Sequence, residues 1–473
     1  MRPNVLWIVL DTARADAFEP YGAPAGASAT VADLARRGTV APALRSTACW
    51  TLPAHASMFA GGLPRALGLA EQAGMSPHSA RPAIEALEDR LIASVLRRAG
   101  YDTAAVSANL WVSERSGFAT GFDRFVETPS GRQGRMASPS RRARLGWALE
   151  VARAGVDDGA SAAGQVLHGW VAEQPRDRPF FWFANLVECH SPYLPPKPYS
   201  SVGLRGRLKA GSDARAYLTQ EAVWRTNIRR EPPPEDALQR MRALYADSVR
   251  SMDDWLARLL EALDARGLLD DTLVLVTSDH GENFGEGGLL AHAYSLDERL
   301  LHVPLVAAGP GAERLAGARS LAELPGLVAE IAGVGDAPYG GERVPPLPVA
   351  QFDPPVPPRE DPRTQFAIGH WDLDEAAIRR MCGTLVSVVD GRTKLVVFDG
   401  DEQFYDLDAD PLEQRPRPAS QADPATVERL RAALEHPATA TIAPPGAPAT
   451  PAAEPSADEL AELEERMRVL GYL

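Results

Sequence analysis

Apolar residues cluster along this chain in two rhythms, short unbroken runs and longer stretches with helical spacing, and the two alternate. Val5 to Leu10 is a continuous run that ends at Asp11, short enough for a strand buried on both faces. Ala83 to Arg98 has helical spacing and is closed by Gly100, and Thr103 to Ser107 then reads as a strand. Pro179 to Val187 is another buried strand, running into Glu188, Cys189 and His190. The longest helix is expected from about Asp236 to Arg266, where Leu238, Met241, Tyr245, Val249, Met252, Leu256, Leu259 and Leu263 keep one face apolar. Gly267 stops it. Thr272 to Thr277 follows as a strand ending in Ser278, Asp279 and His280, and Val303 to Ala307 gives one more. This order predicts an α/β fold with a mainly parallel central sheet flanked by helices, and sites at the carboxyl ends of its strands.

Beyond about residue 340 the pattern changes. A Pro-rich stretch from Pro345 to Pro358 precedes short β-like runs at Thr384 to Val389 and Lys394 to Phe398, punctuated by Asp390-Gly391 and Asp399-Gly400. Those turns suit a small antiparallel subdomain. The expected division is a catalytic α/β domain over 1–345, a C-terminal α+β subdomain over 346–435, a Pro/Ala-rich linker over 436–456 and a terminal helix within 457–473. Lys394 reads as a solvated strand residue. Pro129 to Ala143 and Gly203 to Glu231 read as basic loops able to rim a site.

Composition narrows the function classes. Across 473 residues, 45% are hydrophobic and 24% charged, the balance of a folded globular protein. A net charge of −14 argues against nucleic acid or an anionic membrane as the main partner, and an anionic small substrate would then need local positive charge, most simply a bound metal. Cys49, Cys189 and Cys382 are widely separated and lack metal spacing, so buried thiols are expected. The apolar stretch near the N-terminus is too short for a secretory h-region and no later stretch could span a bilayer, so a cytoplasmic location is the expectation.

Four places carry candidate chemistry: Asp11-Thr12, Thr51 to His55, Glu188 to His190, and Asp279-His280 with His292. Carboxylates with imidazoles are the donors a divalent cation takes. Singly each signal is weak, since a lone Asp at a strand end is more often a turn or cap residue.

Together they resemble a family. NVLWIVLDTARAD from Asn4, TLPAHASMFAGGLP from Thr51, HSPYLPP from His190, TSDHGENFGE from Thr277 and LAHAYSLDERLLHVPL from Leu290 match, in order and spacing, the sulfatase branch of the alkaline phosphatase superfamily. The resemblance extends through RRAGYDTAAVSANLW, ALYADSVRSMDDWLARLLEAL and FYDLDADPLE to the final LGYL. It implies a metal held by Asp11, Asp279 and His280 with Thr51 also contacting it, and His190 and His292 touching the transferred group or protonating the leaving oxygen. It places His55 where sulfatases carry an arginine that steadies the nucleophile. Asn109 is a candidate donor to a substrate oxygen, Glu188 a candidate to orient His190 or a metal, and Trp50 a packing residue.

The departures from the family pattern shape the functional expectation. Sulfatases have Cys or Ser where this chain has Thr51, because that residue becomes formylglycine; a secondary alcohol cannot form the aldehyde. Related phosphodiesterases and phosphoryl transferases use an unmodified threonine, so the expected reaction is hydrolysis of a phosphate or phosphonate ester, or a sulfate ester, through a covalent intermediate on Thr51. Transfer to an acceptor alcohol, or a binding protein that has lost the reaction, are the competing readings. Thr12 in place of a further Asp, and His280 in place of Asn, favour Mn²⁺ or Zn²⁺ over Ca²⁺ or Mg²⁺. Pro53 is expected to shape a loop entering a helix at about His55, with Gly61-Gly62 at its end.

Overall fold

The structure, a computed structural model, describes residues 2–70, 75–129, 132–138, 140–153, 157–339 and 343–439. Its centre is a seven-stranded sheet. The strands are β1 (Asn4–Leu10), β2 (Thr39–Val40), β3 (Asp102–Ser107), β4 (Arg124–Glu127), β5 (Phe180–Leu186), β6 (Thr272–Thr277) and, after a small hairpin of β7 (Asn283–Phe284) and β8 (Leu290–Ala291), β9 (Leu305–Ala308). Their order is β2-β9-β6-β1-β5-β3-β4. The five strands from β6 to β4 run parallel, whereas β9 pairs antiparallel with both β6 and β2.

Why the apolar runs were continuous is visible in the packing. Leu6, Ile8 and Leu10 point into one core layer, and Val5, Trp7 and Val9 into the other. On β5, Phe180, Trp182, Ala184 and Leu186 join the first layer, while Phe181 and Phe183 join the second. Alternate side chains are thus buried on opposite faces, each large one contributing about 1.5–3 kcal/mol. The helix Glu235–Ala265 covers the first face with Leu238, Met241, Val249, Leu256 and Leu263.

A second sheet is antiparallel, in the order β10 (Val349–Phe352), β11 (Leu385–Asp390), β12 (Thr393–Phe398) and β13 (Asp401–Asp406). The helix Pro424–Glu435 lays Val427, Leu430 and Ala433 on Val388, Leu395 and Phe404. On its other side the sheet meets the central body, where the Gln351 N–H donates to the Thr47 carbonyl at 2.9 Å and Arg65 clasps Asp353.

Several expectations need correction. The single helix expected over Ala83 to Arg98 is two helices, Pro77–Glu85 and Ile92–Arg98, separated by a short 3-10 turn and an extended Leu91. The last strand begins at Leu305, since Val303 and Pro304 precede the pairing. The basic segments are helical, with Arg132–Ala137 and Arg141–Arg153 in one and Leu204–Tyr217 and Gln220–Arg229 in the other. Arginine and alanine are good helix formers, and the exposed leucines there had blurred the apolar period. Lys394 is not solvated: its Nζ is fully buried, donating to the Leu296 carbonyl at 2.6 Å and paired with Glu413 at 2.8 Å and Glu298 at 3.1 Å. The terminal helix expected within 457–473 lies outside the described residues. Among the described residues no helix is long and apolar enough to cross a membrane.

Candidate active site

Strand register assembles the first half of the site. Val9 stands beside Thr277 and Leu10 beside Leu186, so β1, β5 and β6 end level. Asp11, the turn through His190 and Asp279 therefore leave the sheet together at its carboxyl edge. The Asp11 N–H donates to the Leu186 carbonyl at 2.9 Å. Thr12, at φ 60°, turns its own N–H onto Asp279 Oδ1 at 3.2 Å. Positive φ is uncommon for threonine, and here it lets the chain fold over the neighbouring carboxylate.

Thr51 arrives on a different element. The helix Thr51–Ala60 starts earlier than expected, because Pro53 sits in the first turn, where its missing N–H costs nothing. Thr51 is thus the first helical residue, at the positive end of the helix dipole. Gly61, in the left-handed region at φ 65°, closes the helix as the sequence implied. The Asn109 amide bridges the two halves, donating to Asp11 Oδ2 at 2.7 Å and to Thr51 Oγ1 at 3.4 Å. An amide NH₂ has two donors, and both are used.

Carbonyl partners fix the imidazole tautomers, since a carbonyl only accepts. His280 donates from Nδ1 to the Gly281 carbonyl at 3.0 Å, which leaves the Nε2 lone pair 3.4 Å from Thr51 Oγ1 and 3.3 Å from Asp279 Oδ2. Burial, with His292 nearby, lowers its pKa to about 3, so this ring is neutral. His55 donates from Nδ1 to the Thr51 carbonyl at 2.9 Å, and its Nε2 accepts from the Asn185 amide at 3.0 Å. It thus braces the backbone of the Thr51 turn rather than touching the hydroxyl. His190 donates from Nδ1 to the Ser191 carbonyl at 3.0 Å. The His292 ring centroid lies 4.9 Å from that of His190 and 4.5 Å from that of His280.

Two carboxylates face the same space. Asp11 Oδ1 and Asp279 Oδ2 are buried without a hydrogen-bond partner among the described residues. Burial first, then the charge of Asp279, raises the Asp11 pKa to about 7; burial also raises that of Asp279. One oxygen of each, together with a His280 nitrogen, lie within 4.8 Å of one another. Uncompensated like charges in a dry setting are costly, and a divalent cation removes the cost. Two hard oxygens and one imidazole nitrogen are a donor set that such an ion takes, so the residues fit it.

Three residues that sequence reasoning passed over support this arrangement. Glu282 accepts from His292 Nδ1 at 2.9 Å and from the Tyr193 hydroxyl at 2.7 Å, and burial raises its pKa to about 7. Asn227 clamps the loop carrying His292, donating to the carbonyls of Leu290 and Ala293 and accepting from the Leu290 N–H at 2.7 Å. Asn185 is the brace beneath His55. Its signal was a polar residue inside the run PFFWFANLV, and that of Glu282 its place two residues after His280. Glu188, by contrast, turns away: its Oε1 accepts from the Ala160 N–H at 2.7 Å, at the start of the helix Ala160–Glu173. Trp50 packs edge-to-face on Trp111 at 5.1 Å.

An α/β sheet with acidic and imidazole side chains beside a helix-borne hydroxyl at its carboxyl edge is consistent with the alkaline phosphatase superfamily. Within it, this chain belongs to the sulfatase family, whose model, described as Sulfatase, matches residues 3–329. It is 32% identical over 214 residues to the choline-sulfatase of Rhizobium meliloti (strain 1021), a stretch covering 42% of this chain and 38% of that relative. It is 30% identical over 158 residues to the multifunctional alkaline phosphatase superfamily protein PehA of Trinickia caryophylli, covering 30% of each chain. The matches thus span well under half the length of these curated relatives. The fold is similar to the crystal structure of the phosphonate monoester hydrolase of Agrobacterium radiobacter, with a TM-score of 0.61, 21% identity and coverage of 92% of this chain and 94% of that one.

Proposed function

We propose that this protein is a metal-dependent hydrolase of phosphate or phosphonate esters, with sulfate esters as the related substrate class, and that Thr51 is its nucleophile. The observation that carries the reading is the Thr51 hydroxyl beside the Asp11, Asp279 and His280 cluster, with Asn109 donating to both the hydroxyl and Asp11. Asp11, Asp279 and His280 would hold the ion, with Mn²⁺ and Zn²⁺ the favoured metals. When bound, the cation lowers the pKa of a neighbouring hydroxyl and offsets the negative charge of the ester oxygens.

The protein's own groups do the rest. Asn109 holds the Thr51 oxygen by donating to it, and the N-terminal end of the helix Thr51–Ala60 favours anionic charge at that point. Attack by this oxygen on phosphorus, with its proton released to the medium, forms the Thr51 O–P bond as the ester bond to the leaving alcohol breaks. His190 and His292 stand side by side at the leaving oxygen, and a proton taken up on Nε2 from the medium is passed to that oxygen as its bond to phosphorus breaks. Both have Nδ1 engaged, His190 with Ser191 and His292 with Glu282, so Nε2 is the nitrogen that exchanges protons. Water then attacks phosphorus, giving a proton to the imidazole that protonated the leaving oxygen, and Thr51 departs and regains its hydroxyl proton from the medium.

The test is turnover of aryl phosphomonoesters, phosphodiesters, phosphonates and sulfates with added Mn²⁺ or Zn²⁺, together with the mass of the Thr51 peptide after brief exposure to substrate. A phosphorylated Thr51 peptide and free alcohol are expected. Metal-dependent turnover that survives in Thr51→Ala would remove the threonine from the mechanism.

A further inference from the structure

The helices Arg141–Arg153 and Leu204–Tyr217 pack against each other through Trp147 and Val151 on one and Gly211 on the other. Trp147 Nε1 donates to the Gly211 carbonyl at 2.9 Å and Arg207 reaches the Ala152 carbonyl, so the two run antiparallel. Two residues from Trp147 on either side, about 200° around the helix, stand Leu145 and Leu149. They are 64% and 46% exposed, and the partner helix adds Leu204 at 51% and Leu208 at 42%. Large apolar side chains left in water in this number call for a covering surface.

The charge around them says which. The two helices carry eight basic residues against two acidic ones, in a chain whose net charge is −14. Both acidic residues are already taken: Glu150 by Arg132 and Arg135, and Asp213 by Lys209 and Arg240. Arg141, Arg142, Arg144, Arg153 and Arg205 are exposed and form no ion pair with a described acidic residue. On the outer face of the first helix, Arg141 flanks the leucines on one side and Arg142 and Arg153 on the other. Leucines between arginines on one helix face match a bilayer interface, with acyl chains beneath anionic headgroups.

We propose that this helix pair docks the protein onto an anionic lipid surface. The expectation that net negative charge excludes membranes weighs the whole chain, whereas headgroups within a Debye length feel only the local patch. The docking face is also tied to the candidate active site. Arg132, on the short helix just before Arg141–Arg153, donates to the Leu194 carbonyl at 3.0 Å in the segment that follows His190, and Arg215 holds the Met136 carbonyl.

The experiment is sedimentation of the full chain with vesicles of phosphatidylcholine alone and of phosphatidylcholine mixed with phosphatidylglycerol. Binding to the mixed vesicles that weakens with added salt is expected. The Arg141→Glu/Arg142→Glu double variant should lower partitioning to the mixed vesicles by about tenfold or more, and Leu145→Ser/Leu149→Ser by about tenfold. These are surface substitutions, so folding should survive, and thermal melting checks it. Thr51→Ala should bind vesicles like the parent, which separates this test from that of the reaction. Equal binding to both vesicle types, or none to either, overturns the proposal. So does self-association in sedimentation velocity that the leucine variant abolishes, because the face would then be covered by a second copy.

Discussion

Two clusters of charge are buried in this molecule, and they are built on opposite terms. Around Lys394 the account is closed: its Nζ meets Glu298, Glu413 and the Leu296 carbonyl, and Arg45 takes the second oxygen of Glu298 at 2.9 Å. Around Asp11 and Asp279 it is open, with two carboxylates and a neutral imidazole facing one another and, among the described residues, no lysine or arginine paired with either carboxylate. Burial alone therefore does not separate scaffold from chemistry. What separates them is whether the fold supplies the countercharge, since a charge buried without one has a use that the polypeptide itself does not satisfy.

The largest effects that test this contrast are catalytic. Thr51→Ala should lower turnover by a factor on the order of 10⁴ or more if its oxygen is the nucleophile, as proposed. Metal content by elemental analysis and melting temperature should stay close to the parent values. A residual rate within tenfold of the parent would mean that the open cluster serves some other chemistry.

Next in size is the closed cluster. Lys394→Met removes the cation paired with Glu413 and leaves Glu298 with Arg45 alone, so destabilisation of about 3–5 kcal/mol is expected in urea unfolding. Metal content per folded molecule should not change. The mirror experiment is Asp279→Asn, which keeps the acceptor for the Thr12 and His280 N–H groups and removes one of the two repelling charges. Metal-free Asp279→Asn should melt at or above the parent temperature, yet fail to be stabilised by metal. Saturating the parent with an ion at a hundredfold its Kd should add about 2.7 kcal/mol. If Asp279→Asn gained the same increment, Asp279 would not be a ligand.

The difference between the clusters also explains what the sequence disclosed. Strands β1 and β6 could be read nearly to the residue because both their faces are buried, and their level ends put Asp11 beside Asp279. The site residues carried recognisable motifs. Lys394 carried none: a lysine in a short β-run reads as exposed, and only the tertiary approach of Glu298 and Glu413, from two distant segments, buries it. The bracing contact of His55 was illegible for a similar reason, since its partner Asn185 lies 130 residues away on β5. Pairings between distant polar residues leave little periodic trace, whereas strand burial leaves a strong one.

The smallest expected effect concerns acid. The cations of Lys394 and Arg45 outweigh the cost of burial at Glu298 and lower its pKa from 4.5 to about 2. A carboxyl whose folded pKa is depressed binds protons more readily when unfolded, so its contribution is complete above pH 4.5 and disappears as pH falls towards 2. Glu298→Gln keeps an acceptor for Lys394 but loses the charge, at an expected cost of about 1–3 kcal/mol near neutrality. Its stability should then fall less steeply than the parent's between pH 4.5 and pH 2, which unfolding curves at stepped pH would measure. Equal slopes would mean that Glu298 gains nothing from its charge in the fold. The countercharge in the closed cluster would then come from the Lys394–Glu413 pair alone, and the contrast with the open one would rest on that pair.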